Sequence, residues 1–88
     1  MPNTFDGAVI KEQGVTFAIA TVKRGTLSNS LLRNDIISQL SRFFGNIPIV
    51  LMEQDIHDVP SYYGRNDIVR FLSNIHPSRI PWKRYTIN

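Results

Sequence analysis

The sequence predicts a small α+β fold: a mixed four-stranded sheet with two helices, in the order ββαβαβ. Three observations carry this. Two stretches rich in Val, Ile, Thr and Phe near the start are joined by Gln13-Gly14. Two later stretches repeat apolar residues at three- and four-residue spacing, which makes one face of a helix. Each helical stretch is followed by another strand candidate. The connections from Lys23 to Ile47 and from Met52 to Trp82 are long enough for parallel crossovers.

The elements follow in order. Ala8 to Glu12 and Val15 to Lys23 form an antiparallel hairpin, because Gly14 can take the positive φ of a tight turn. The second strand is apolar on both faces, with Phe17 and Ile19 one way and Ala18, Ala20 and Val22 the other. Such a strand is covered on both sides. Leu32, Ile36, Leu40 and Phe43 or Phe44 mark the first helix. Ser28 to Ser30 supply N-cap oxygens before it, and Gly45 suits a left-handed C-cap.

Ile47 to Met52 reads as a buried strand, with Pro48 at its start or on an edge. Glu53 to Gly64 reads as a loop. The second helix runs from about Arg65 to Ile75 on Ile68, Leu72 and Ile75, and stops at His76-Pro77 because the residue before Pro disfavours helix geometry. Trp82 to Ile87 alternates as the last strand. With both helices on one face, the other apolar face would stay bare, and a homodimer through that face would be needed to cover it.

Length and composition limit the rest. The chain has 88 residues, 42% apolar and 19% charged. It is one domain over 1–88, too apolar for a disordered tail. With no Cys there is neither a disulfide framework nor a thiolate metal site. Residues 1 to 7 lack the basic and apolar blocks of a signal peptide. Ile47 to Met52 is only six residues long, against about 20 for a membrane span. No membrane contact and a cytoplasmic location are the expectation.

Chemistry concentrates after the third strand. Asp55, His57, Asp58, Tyr62, Tyr63 and Arg65 are the candidate ligand-binding residues. Long loops and the carboxyl ends of parallel strands are where ligands bind. Gly64 would let a backbone come close, and Arg65 with the first helix amides would hold an anion. The same parts also occur at any helix start, with Asn66 or Ser61 as cap and Asp67 meeting the dipole. Asp55, His57 and Asp58 match no metal-ligand spacing, so no metal is assigned. The same three residues could serve a small enzyme only if they converge in a pocket, so no catalytic residue is assigned. No cofactor fingerprint is present.

The net charge of +3 is unevenly placed. Residues 1 to 61 hold five basic and six acidic side chains; residues 62 to 88 hold five basic and one acidic. Arg65, Arg79, Trp82, Lys83 and Arg84 therefore make an alternative nucleic-acid-binding surface, with Arg for phosphates and rings for stacking. Its bland counterpart is Trp82 as a core anchor and Lys83 and Arg84 as guards of an edge strand. The expected function is a non-enzymatic ligand-binding or protein-interaction module with an anion-friendly loop. The alternatives are a nucleic-acid-binding protein and a small enzyme.

Overall fold

The computed structural model describes residues 4–87; residues 1–3 of the leader reading and residue 88 of the domain lie outside the described residues. The chain forms β1 (Thr4–Glu12), β2 (Val15–Thr21), α1 (Ser30–Phe44), β3 (Ile49–Gln54), β4 (Pro60–Tyr63), α2 (Asn66–Ser73), a short 3-10 turn (Pro77–Arg79) and β5 (Lys83–Thr86). The five strands make one mixed sheet in the order β4-β3-β2-β1-β5. Only β2 and β3 pair parallel; β1–β2, β1–β5 and β3–β4 are antiparallel.

The hairpin forms where alternation and the turn residues require it. Gln13 and Gly14 both have positive φ, +52° and +80°, the backbone that matches the twist of two flanking strands. β1 begins four residues earlier than predicted. Asp6 and Gly7 are poor strand residues, but pairing Thr4 to Gly7 with β5 overrides that weakness. Phe5 stacks on Tyr85 across this pair, centroids 5.3 Å apart.

The sequence predicts four strands, and the described residues form five. The extra one is β4, inside the segment Glu53 to Gly64 that reads as a loop. Pro60 and a length of four residues hide it. Both features are tolerated because β4 is an edge strand with one partner. The order is thus ββαββαβ. The last strand joins the opposite edge, antiparallel to β1, so the connection from β4 through α2 carries the chain across the sheet and the second expected parallel crossover does not form.

The helices cover opposite faces. Ile36 and Leu40 of α1 pack with Ala18, Ala20, Ile49 and Leu51. Ile68 and Leu72 of α2 pack with Ala8, Phe17, Ile19, Val50 and Met52, joined by Ile80. The predicted split of β2 into a Phe17/Ile19 face and an Ala18/Ala20/Val22 face is what these two layers use. With one helix on each face, the bare apolar face from which the sequence derives a homodimer is absent among the described residues. Both edge strands are four residues long, one led by Pro and the other by Lys83 and Arg84. These are features that discourage further pairing.

The caps fit the sequence reading of α1. The Asn29 side-chain oxygen accepts from the Leu32 amide, and Gly45 closes the helix in the left-handed region. α2 starts at Arg65 without a side-chain cap. No helix among the described residues is long and apolar enough to cross a membrane.

Candidate functional site

The predicted ligand loop does not gather in one place. Asp55 to Val59 is a tight hairpin tip between β3 and β4. The Asp55 carboxylate accepts from the amides of His57, 2.8 Å, and Val59, 3.0 Å. The Asp55 carbonyl accepts from the Asp58 amide at 3.0 Å. Asp58 itself sits at φ +61°, a conformation that Asp tolerates better than most residues. The carboxylate thus holds its own turn together. His57 and Asp58 are exposed at the tip.

β4 then separates the remaining candidates. Side chains alternate along a strand, so neighbouring tyrosines fall on opposite sides of the sheet. Tyr62 packs into the α2 layer, and burial pushes its hydroxyl pKa up. Its oxygen is buried without a hydrogen-bond partner. Tyr63 faces the other side, where the Arg33 guanidinium lies 4.2 Å from its ring centre. Arg65 lies past the far end of β4, roughly 13 Å of strand away from the tip at 3.3 Å per residue over four residues.

Arg65 is also engaged. It makes a two-pronged ion pair with Asp67, both contacts 2.7 Å, and both side chains are about half exposed. That pairing raises Arg65 and holds the Asp67 carboxyl down to about 2. Gly64 does permit a close backbone approach, but to the protein itself: a Cβ there would meet Val50 Cγ2 at 2.8 Å and the Ile49 carbonyl at 3.0 Å. Among the described residues no group of three His, Asp or Glu side chains converges into a metal-binding set.

The alternative basic surface is partly assembled. Trp82, Lys83 and Arg84 line one cavity of about 470 Å³ on the α2 side, together with His76, Pro77 and Ser78. Trp82 is anchored there: its ring packs against the core, and Nε1 donates to the Pro77 carbonyl at 2.9 Å. His76 Nδ1 accepts from the Ser78 amide at 3.1 Å and caps the short turn. Arg65 is not part of this cavity, and Arg79 is exposed on the 3-10 turn without lining it.

A larger cavity, about 790 Å³, opens on the α1 side at the carboxyl end of β2. Its wall comes from α1 through Leu32, Ile36 and Leu40, and from the sheet through Phe5 and Ala20. Lys23, Thr26 and Arg84 supply polar lining. Asp6, Thr21 and Arg84 line both cavities and form the ridge between them. The position has a topological cause. The chain leaves the carboxyl end of β2 through α1 toward β3 on one side, while the antiparallel β1 begins at that same end on the other. Crevices open at such a divergence, beyond the carboxyl ends of parallel strands.

The exit loop of β2 shapes this cavity. Thr26 N–H donates to the Lys23 carbonyl at 3.1 Å, with Gly25 at φ +93° in the turn. Ser28 Oγ donates to the Gly25 carbonyl, and Asn29 N–H to the Thr26 carbonyl. Glu53 accepts from the Leu27 amide at 3.0 Å and ties the loop to β3. The backbone demand is met within this frame, so the Lys23 side chain stays at the surface. Arg24 Nε reaches the Gln54 carbonyl at 3.4 Å. Arg84 Nε pairs with Asp6 at 3.2 Å, with both side chains more than half exposed.

Lys23, Thr26, Asp6 and Thr21 were not among the sequence candidates. Lys23-Arg24-Gly25-Thr26 carries a readable signal: a basic pair and a glycine directly after a strand that feeds a crossover. Asp6 carries none, because its place depends on the β1–β5 register. Comparison with known proteins finds no matching family model, no matching curated protein and no matching solved structure.

Proposed function

We propose that this chain is a non-enzymatic binding module for an anionic ligand, and that the ligand is held at the carboxyl end of β2. The observation that carries this is the larger cavity: Lys23 lines it over an apolar wall, with Arg84, held by Asp6 through a single 3.2 Å contact, also in the lining. A mostly apolar recess with a few convergent polar groups is the ordinary form of a ligand site. The anion then sits at the loop after β2 and not at the loop after β3. Arg65, the cation of the latter, is held at two contacts by Asp67, whereas among the described residues Lys23 makes no ion pair.

The test is a titration of the labelled protein with inorganic phosphate and with acetate, read by amide chemical shifts. Shifts at residues 23–26 and 83–84 are expected, and they should shrink in Lys23→Met and Arg84→Met. Shifts confined to residues 55–58 and 65–67 would return the site to the β3–β4 segment. No shift with either anion at low salt would overturn the proposal.

A nucleic-acid ligand is the second reading, favoured by Trp82 and Arg84 in the lining of the smaller cavity, while the Lys83 ammonium lies over the Tyr85 ring at 5.8 Å. Phosphate contacts are strongest at low salt. A short labelled single-stranded oligonucleotide should then bind at low salt and lose affinity steeply as salt rises. Absence of binding at low salt removes this reading.

A further inference from the structure

The geometry points to a specific ligand class for the larger cavity: an amphiphile with a monoanionic head and an extended apolar tail, such as a fatty carboxylate. This rests on the anion-binding proposal and deepens it. Two features set the class.

The first is charge. The lining holds Lys23 and Arg84 against one carboxylate, Asp6. Arg84 Nε is engaged by Asp6 at 3.2 Å, which neutralises that carboxylate on the ridge. Lys23 projects from the exit loop beside it, so the net charge of the lining is +1 and complements a single negative charge. Thr26, only 4% exposed, also lines the cavity. Its backbone is tied to Lys23 and Asn29, which fixes this residue in the wall.

The second feature is the wall. Leu32, Ile36 and Leu40 follow one another along the inner stripe of α1 and all line the cavity. Ile36 and Leu40 are buried, while Leu32 is 42% exposed. Phe5 and Val22 continue the apolar lining from the sheet side. A small hydrophilic anion would leave the accessible part of this wall, Leu32 with the partly exposed Phe5 and Val22, in water. A tail laid along it removes apolar surface from water, and each buried methylene contributes roughly a fourfold gain in affinity.

The experiment compares dodecanoate below its critical micelle concentration, acetate and dodecanol on the intact chain, by calorimetry and amide shifts. With about four methylenes buried, dodecanoate should bind roughly 250-fold tighter than acetate. Lys23→Met should weaken dodecanoate by about fivefold, the scale of one partly exposed ion pair. Leu32→Gln should weaken dodecanoate and leave acetate unchanged. Val22→Thr, close to isosteric, serves the same purpose if Leu32→Gln changes the circular dichroism spectrum. Acetate and dodecanoate binding equally at residues 23–26 would overturn the amphiphile and leave the anion proposal standing. Dodecanol binding as well as dodecanoate would overturn the requirement for an anionic head. Binding of none of the three would end both proposals.

Discussion

Two loops leave the carboxyl ends of the only parallel pair in this sheet, side by side, and they use their polar groups in opposite ways. The β3–β4 tip carries Asp55, His57 and Asp58. Its best acceptor, the Asp55 carboxylate, is taken by two amides of its own turn. The β2–α1 loop is longer and closes with backbone carbonyls, the Ser28 hydroxyl and the distant Glu53. Arg24 adds a contact to the Gln54 carbonyl, and Lys23 is left without a part in the loop's own hydrogen bonding beyond its backbone carbonyl. A loop rich in functional residue types becomes a site only when its backbone is satisfied by something else. On that criterion the second loop is the better candidate, although the first has the more suggestive composition.

The comparison breaks most visibly beneath the cavity. Leu40 is 2% exposed and belongs to both the α1 layer and the cavity wall. Leu40→Ala should cost about 2–5 kcal/mol, from lost transfer energy and the void left behind. Chemical denaturation measures it. Amide shifts should move around residues 22–29 and leave the 55–59 tip in place. Equal disturbance of both would mean that the two loops behave as one unit and that their contrast has no consequence.

The converse substitution acts on the tip. Asp55→Ala removes the acceptor of two exposed amides, which water can replace in part, so about 1 kcal/mol is expected. Hydrogen exchange at His57 and Val59 should quicken, and acetate binding at residues 23–26 should not change. Loss of that binding would tie the anion to the β3–β4 segment after all.

Tyr62→Phe reads the strand that leaves the tip. The Tyr62 hydroxyl is buried with no partner, so it bears a desolvation cost without a bond in return. Its removal should stabilise the protein by roughly 0.5–1 kcal/mol, seen as a higher denaturation midpoint with an unchanged slope. A loss of stability of that size would reveal a partner for the hydroxyl, and with it a polar role for the α2 side of β4.

Much of the frame was legible because it is local. The β1–β2 turn, both helices and the two-faced pattern of β2 depend on residues within a few positions of each other. What escaped depends on distant pairing. β4 is four residues long and begins with Pro60, so only its partner β3 identifies it. Once that segment is a strand, Tyr62 and Tyr63 cannot share a ligand, and Arg65 is carried to the opposite end from Asp55. The choice of faces for α1 and α2 is likewise long-range, and the homodimer expectation depended on it. The basic pair after β2 was visible in the sequence, but its meeting with Arg84 depends on β5 crossing to the far edge.

The smallest effect separates Arg65 from the candidate site by its titration. The Asp67 carboxyl is held at about 2, below its usual 3.8, chiefly by the hydrogen bond from Arg65. A depressed folded value means that the pair favours the folded state above the usual value and that this contribution disappears as pH falls from about 3.8 through about 2. Both side chains are solvent-exposed, so salt and water weaken the pair and its share of stability is small. The measurement is a carbon-detected titration of the Asp67 carboxyl. Its midpoint should sit near 2 in the wild type and rise toward the ordinary carboxylate range in Arg65→Gln. Acetate at saturating concentration should leave that midpoint where it is, because the anion and Arg65 do not meet. A rise in the Asp67 midpoint on adding acetate would mean that the anion competes for Arg65, and would place α2 back in the binding site.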